Sequence, residues 1–197
     1  MFYAFNYHWK KSISKSISKF LEGYRVGIEN GDFEYACWCL HCPDFTAVFS
    51  GYDLMEQAKI MDNHRKRMIQ LRQQTILNIY STVHQSVSNL IGDNEDPQQL
   101  TGKYMNEKKL LENLDGRSFN TTVASVYFWK TILNFIFHNY DSAVKNSAGF
   151  EKYTDAHAGL SSIPIFYYIS SLARLALYQN AAIKEKSNLI GKVSRNL

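Results

Sequence analysis

The stretch CWCLHC, residues 37 to 42, holds three cysteines and one histidine, the side chains that most often bind zinc or act as thiol nucleophiles. They include every cysteine of the chain. A structural zinc site usually combines a C-x2–4-C pair with a second pair of ligands a dozen or more residues away, because four ligands must surround one tetrahedral ion. Here the thiols are crowded together, so the chemistry open to them depends on their secondary structure.

A helix over residues 32 to 42 would point the three thiols in different directions. At roughly 100° per residue, Cys37 and Cys39 lie about 200° apart, and Cys39 and Cys42 about 60° apart. Cys37 and His41 share a face, but two ligands do not complete a zinc site. Free cysteine is readily buried where helices pack, in the place of Ala or Val. We interpret the cluster as core packing and keep a metal site or a reactive thiol as alternatives.

The composition favours one helical domain. The 197 residues contain 45% hydrophobic and 14% aromatic side chains but only 10 Gly and 3 Pro, so helix breakers are scarce. A net charge of +4 is too small to predict a nucleic-acid partner without a concentrated basic patch. The odd and clustered cysteines favour a reducing cytoplasm over a disulfide framework.

The chain shows neither a targeting segment nor a catalytic motif. The N-terminus, MFYAFNYHWKK, carries its positive charge after the apolar residues, unlike a secretory signal. The apolar stretch 163–178 is shorter than the roughly 20 residues of a membrane span and contains Arg174. Nucleotide loops, kinase motifs, the G-x-S-x-G elbow and H-E-x-x-H are missing, and the six histidines are scattered. We therefore predict no enzyme activity, no cofactor, no membrane partner and no small-molecule substrate.

Apolar residues recur at helical spacing through most of the first half. They predict an amphipathic helix over residues 11–28, followed by a turn at Asn30 and Gly31 and by a second helix capped by Asp32. Asp53 is predicted to cap a third helical stretch, with a break near residues 73–75. Pro43 lacks an amide hydrogen, so the second helix is expected to kink or end near Cys42.

The second half begins after a loop, GDNEDPQQLTG, at residues 92–102, which divides a single helical-repeat domain covering residues 1–197. A weak helix is predicted over residues 107–115, a strongly apolar one over residues 121–137, and a final one over residues 163–178. The last of these is apolar on most sides, which is typical of a helix with neighbours on two sides.

Two segments share one turn pattern. Each combines a turn residue, an aromatic residue and a small alanine: Gly31, Phe33 and Ala36 in the first, and Asn139, Tyr140 and Ala143 in the second. In a helical hairpin the small residue lets two helices approach closely, as in tetratricopeptide repeats. We therefore predict an all-α fold of antiparallel helical hairpins, stacked as a tetratricopeptide-like array.

Three stretches together resemble a known family: LEGYRVGIENGDFEYA (21–36), LRQQTILNIYSTVHQSVSNLIGDNEDPQQLTG (71–102), and FIFHNYDSAVKNSAGFEKY to IPIFYYISSLARLALY (135–178). The family is the helical, tetratricopeptide-like region of large bacterial signalling proteins. These proteins join a serine/threonine kinase-like domain, an AAA-type ATPase domain, this helical region, a GAF sensor domain and a sensor histidine kinase. The resemblance spans roughly residues 8–190 and depends on the order of the pieces.

The resemblance implies a non-catalytic scaffold or relay between the ATPase and the histidine kinase of a two-component system. The expected partners are the ATPase and kinase domains of the same or a cognate protein. Because the chain begins and ends within the helical region, we expect a fragment or a truncated reading frame. Two further hypotheses stay open: a small metal-responsive regulator using Cys37, Cys39 and Cys42, and a non-functional remnant without a stable fold.

Overall fold

The computed structural model describes residues 2–114, 119–179 and 181–196. These residues form an all-α structure without strands, and the one isolated bridge joins Thr101 and Asn106. The predicted all-α class is therefore confirmed for the described part of the chain. Its helices are α1 (Phe2–Phe5), α2 (Ile17–Glu29), α3 (Phe33–Val48), α4 (Leu54–Gln70), α5 (Gln74–Leu90), α6 (Glu107–Glu112), α7 (Phe119–Ile136), α8 (Tyr140–Phe150), α9 (Ser162–Tyr178) and α10 (Ile183–Asn196).

Helices that follow one another in the chain pack side by side. This holds for α2 with α3, α4 with α5, α7 with α8, and α9 with α10. Short connections join the partners of each pair, so the two helices run antiparallel. Further contacts link α3 to α4 and α5, α5 to α7, and α8 to α9. Short 3-10 segments at Tyr7–Trp9, Ile13–Ser16 and Glu151–His157 complete the chain around these helices.

Local sequence signals set the ends of several helices as predicted. The Asp32 carboxylate accepts a hydrogen bond from the amide of Tyr35 at 3.2 Å, and Asp53 accepts one from Glu56 at 2.9 Å. Gly31 has a φ of 73°, a left-handed conformation that glycine adopts without steric cost. The break predicted near residues 73–75 lies between α4 and α5 and is confirmed.

Pro43 was predicted to kink or end its helix near Cys42. The helix does not end there, because α3 continues to Val48 with Pro43 inside it. Pro43 is buried, and the turn that follows it buries Asp44 and Ala47. Packing of that extra turn compensates for the amide hydrogen bond that proline cannot make.

Three other boundaries differ from the prediction. The helix predicted over residues 11–28 begins only at Ile17, after a 3-10 segment at Ile13–Ser16. The helix over residues 163–178 is not the final one, because α10 follows it and packs against it. The weak helix α6 ends at Glu112, and Asp115, its predicted end, lies outside the described residues.

Large side chains from α3, α5 and α7 meet in the core. Tyr80, Phe128 and Trp129 are almost fully buried, and the rings of Phe49 and Trp129 stack with their centroids 5.6 Å apart. The α7 helix is buried on most of its sides because α5, α8, α9 and the 151–157 segment all pack on it. This central position makes α7 one wall of the candidate site.

Within the described residues, no helix has both the length and the apolar character needed to cross a membrane. The apolar α9 carries Arg174, whose side chain is only 3% exposed. Its guanidinium donates to the Glu151 carboxylate at 2.9 Å and to the Ser147 hydroxyl at 3.0 Å. Burial lowers the pKa of Arg174, and the neighbouring Glu151 opposes that effect, so the buried charge is paired.

Candidate functional site

A cavity of about 290 Å³ lies between α3 and α7. The N-terminal segment covers one side of it, and the turn between residues 156 and 162 closes another. Phe5 packs on that turn, where a Cβ added to Gly159 would come within 3.1 Å of its ring. The wall is mostly apolar, and it includes the rings of Tyr3, Phe5, Phe20, Tyr35, Trp38, Phe45, Phe128 and Trp129.

His41 lines the cavity from α3 and makes no hydrogen bond to any described residue. Its Nδ1 atom is buried without a partner. Aromatic rings hold the imidazole, with centroid distances of 5.5 Å to Trp38 and 6.1 Å to Tyr80. Burial lowers the pKa of His41 to about 4, so the ring is neutral at pH 7. A neutral imidazole offers one donor and one acceptor, and here neither is used by the protein.

His157 faces the cavity from the opposite side and is better satisfied. Its Nδ1 lies 2.9 Å from the Ser162 hydroxyl, and its Nε2 lies 3.5 Å from the Ser125 hydroxyl. Burial lowers the pKa of His157 to about 4 as well. The distance to Ser125 is long for the hydrogen bond by which a histidine activates a serine nucleophile. The pair therefore contributes polar groups to a mostly apolar wall.

A second polar cluster lies beside the cavity, around Asp44, which is 1% exposed. Its carboxylate accepts hydrogen bonds from Gln57 Nε2 at 2.7 Å and from the Tyr80 hydroxyl at 2.6 Å. His64 Nδ1 lies 2.8 Å from Oδ2 of Asp44, the same oxygen that accepts from Tyr80. These contacts join α3, α4 and α5. A buried carboxyl group with several hydrogen-bond partners fixes the positions of the helices that supply them.

His84 is fully buried in α5 and stacks on Tyr104, with ring centroids 3.5 Å apart. Its Nε2 lies 3.6 Å from the Asp62 carboxylate, which is beyond hydrogen-bond range. Burial lowers the pKa of His84 to about 3 despite that carboxylate, so the imidazole is neutral and the two groups form no ion pair. Tyr104 instead donates its hydroxyl to Asp62 at 2.9 Å.

The three cysteines with which the sequence analysis began point into separate surroundings. Cys37 is in the core, Cys42 lines the cavity, and Cys39 packs against α2, where a Cβ added to Gly23 would lie 2.9 Å from its sulfur. Burial raises the pKa of Cys37 to about 11 and that of Cys42 to about 12, and it also raises that of Cys39. In the described part of the chain, no three His, Cys, Asp or Glu side chains are placed to hold one metal ion.

The first predicted hairpin turn connects α2 and α3. Gly31 lies in the turn, Phe33 begins α3 with 40% of its surface exposed, and Ala36 is fully buried. A Cβ added to Gly27 would lie 3.0 Å from the Cβ of Ala36, so the two helices meet closely at these small residues.

The second predicted turn connects α7 and α8. The Asn139 side chain accepts a hydrogen bond from the amide of Ser142 at 3.2 Å and caps α8. Tyr140 begins the helix, and its hydroxyl lies 2.7 Å from Nδ1 of His138. Ala143 is fully buried. Tyr140 and Ala143 therefore correspond to Phe33 and Ala36, whereas Asn139 takes the capping position of Asp32, and His138, with a φ of 60°, takes the left-handed position of Gly31.

Sequence reasoning missed the cavity. Its walls come from residues as far apart as Tyr3 and Ser162, and no local spacing joins them. The high aromatic content was the one available signal, but it does not say which rings leave space between them. No protein-family model, curated protein or solved structure matches the chain. Function is therefore inferred from the residues of the chain itself.

Proposed function

We propose that the chain is a non-catalytic helical scaffold or relay, acting in the cytoplasm through protein–protein or interdomain contacts. Its place would be the region between the ATPase and the histidine kinase of a bacterial signal-transduction protein, which the sequence resembles. In this proposal the paired helices are tetratricopeptide-like hairpins stacked as an array, and the array itself catalyses no reaction.

The observation that carries the proposal is the close approach of α2 and α3 at Gly27 and Ala36, which lie on either side of a left-handed turn at Gly31. Small residues at such a crossing let the two helices of a hairpin pack closely, and the first turn of α8 also buries an alanine, Ala143. An array of such hairpins presents extended surfaces that bind other proteins.

Exposed apolar side chains on the helices are candidate contact points. Tyr168 and Leu175 lie seven residues apart on α9, and they are 66% and 43% exposed. Met55 and Ile69 on α4 are 57% and 52% exposed. Aromatic and apolar side chains of this kind supply most of the binding energy in protein interfaces.

A binding titration tests the proposal. The chain is titrated against two separately produced proteins of the resembled family from the same organism, an ATPase domain and a sensor histidine kinase. Sedimentation velocity should show a saturable complex with one of them, and ATP hydrolysis by the chain alone should stay at background. The absence of both complexes, or phosphotransfer by the isolated chain, would contradict the proposal.

Two double variants locate the contact surface. The first double variant replaces two exposed apolar residues of α9 and combines Tyr168→Ser with Leu175→Ser. The second replaces two on α4 and combines Met55→Ser with Ile69→Ser. One of them should weaken the complex by about tenfold or more while the other serves as its matched control. Unchanged affinity in both would exclude contacts through these helix faces.

A further inference from the structure

The cavity between α3 and α7 is too large to be a packing defect. Native interiors contain few voids larger than a water molecule, whereas this space measures about 290 Å³. An engineered apolar cavity of about 150 Å³ already binds benzene. Space of about twice that volume accommodates a flat molecule of two fused rings.

The wall selects against charged molecules. Among the described residues that line the cavity, none is Lys, Arg, Asp or Glu. The two inner histidines, His41 and His157, are neutral at pH 7 because burial lowers their pKa values to about 4. A charged ligand would lose its hydration without gaining an opposite charge, which costs several kcal/mol.

The polar groups of the wall favour a ligand with a hydroxyl group. His41 has a buried Nδ1 without a partner, and His8 has a buried Nε2 without one, within the described residues. A buried polar atom left unpaired is unfavourable, so a ligand group that pairs with it gains affinity. The Nδ1 atom of His41 has almost no accessible surface, so a ligand in the cavity would reach the imidazole through Nε2, which has no hydrogen-bond partner among the described residues. A hydroxyl can donate to that nitrogen when it lacks a proton and accept from it when it carries one, so it can pair with His41 in either tautomer.

We propose that this cavity is a binding site for a neutral, planar aromatic molecule of about two fused rings that carries one hydroxyl group, which pairs with His41. The surrounding rings, among them Trp38, Phe45 and Phe128, provide the apolar contact. The site is independent of the proposed scaffold role, since it concerns a bound molecule and no partner domain.

Three probes of similar shape test the chemistry of the site: 2-naphthol, naphthalene and 2-naphthoate. Titration of the full chain by equilibrium dialysis at pH 7.5 should show one 2-naphthol bound per chain. Naphthalene, which lacks the hydroxyl, should bind about tenfold more weakly, the effect of one hydrogen bond to a buried polar group. The charged naphthoate should show no saturable binding. A water-filled cavity that takes up none of the probes would overturn the proposal.

Variants of the wall locate the binding. His41→Phe keeps a ring at the same place and removes both nitrogens, so the tenfold preference for 2-naphthol over naphthalene should fall to about one. Ala156→Phe places a ring inside the cavity and should abolish binding of both molecules. Ala148→Phe makes the same change at an exposed site on α8 and should leave binding intact.

Thermal unfolding followed by circular dichroism checks that each variant is folded. If Ala156→Phe does not fold, the His41→Phe variant alone tests the site. A folded His41→Phe variant that keeps the tenfold preference for 2-naphthol overturns the assignment to His41. Binding that survives in a folded Ala156→Phe variant places the probe elsewhere and overturns the site.

Discussion

The hydroxyl of Tyr80 donates a 2.6 Å hydrogen bond to the carboxylate of Asp44, 36 residues away in the chain. Both side chains are almost fully buried. The bond joins α3 to α5 in the core, one residue after Pro43, and His64 and Gln57 add a link to α4. A charged group in this position stabilises the fold only while its donors remain.

Loss of Asp44 is expected to destabilise the fold strongly. Asp44→Ala removes the shared acceptor of Gln57, Tyr80 and His64, and it should reduce the free energy of unfolding by about 3 kcal/mol, although the Tyr80 hydroxyl keeps the Met61 carbonyl as an acceptor at 3.1 Å. Tyr80→Phe removes one donor and should cost about 1.5–3 kcal/mol, the range for a hydrogen bond to a charged group. Urea unfolding measures both values, and the exposed Asp93→Asn is the control. A double variant that loses the sum of the two single effects would show that the residues are not coupled.

Stability is expected to fall as the pH falls from 6.5 towards 4. Burial lowers the pKa of His41 and of His157 to about 4 from an ordinary value of 6.5, so between these values the unfolded chain binds more protons than the folded one. Each histidine then contributes a slope of up to about 1.4 kcal/mol per pH unit, and the loss levels off below about pH 4.

His84, whose pKa burial lowers to about 3, adds to the same slope and extends it to lower pH. His84→Phe keeps a ring against Tyr104 and removes the titrating group. Urea unfolding at a series of pH values should show a shallower slope for this variant. A slope that does not change, or stability that rises on acidification, would be inconsistent with a neutral buried imidazole.

The crossing of α2 and α3 is expected to tolerate no larger residue at position 36. Ala36 is fully buried, and its Cβ would lie 3.0 Å from a Cβ added at Gly27. Ala36→Leu should destabilise the fold by about 1–3 kcal/mol through overpacking. Ala148→Leu, on an exposed face of α8, should change the free energy of unfolding by less than about 0.5 kcal/mol. Equal effects at the two positions would show that the crossing is not tight.

The buried thiols are expected to react slowly. Burial raises the pKa of Cys37 to about 11 and that of Cys42 to about 12, so the reactive thiolate is rare at pH 8. Alkylation by iodoacetamide, followed by peptide mass spectrometry, should be at least about a hundredfold slower in the native chain than in urea. Fast labelling of either residue in the native chain would show an accessible thiolate.

Zinc is expected to leave thermal unfolding unchanged. The three sulfur atoms face separate surroundings, and a thiol must lose its proton to bind zinc. Far-UV circular dichroism melts with a chelator and with added zinc should coincide. A zinc-dependent rise in the unfolding temperature that saturates at one ion per chain would favour the metal-responsive regulator instead. A broad, non-cooperative melt under both conditions would favour the remnant without a stable fold.

Local chemistry was sufficient to predict the helices and several of their ends. The 3.6-residue spacing of apolar side chains, the caps at Asp32 and Asp53 and the left-handed turn at Gly31 depend on residues within a few positions of one another. The same reasoning failed at Pro43, where the loss of one amide hydrogen bond is a local cost and the burial of Asp44 and Ala47 is a tertiary gain.

The sequence by itself therefore determined the all-α class of the described residues and several of the places where chain direction reverses, but not the reversal between α9 and α10. Only the tertiary structure decided that, among the described residues, His41 has no hydrogen-bond partner and the Asp44 side chain has three, and that a cavity remains between α3 and α7. The physical reason is the distance along the chain between the residues that meet. Capping acts over three or four residues, whereas the cavity wall joins side chains from Tyr3 to Ser162 that only packing brings together.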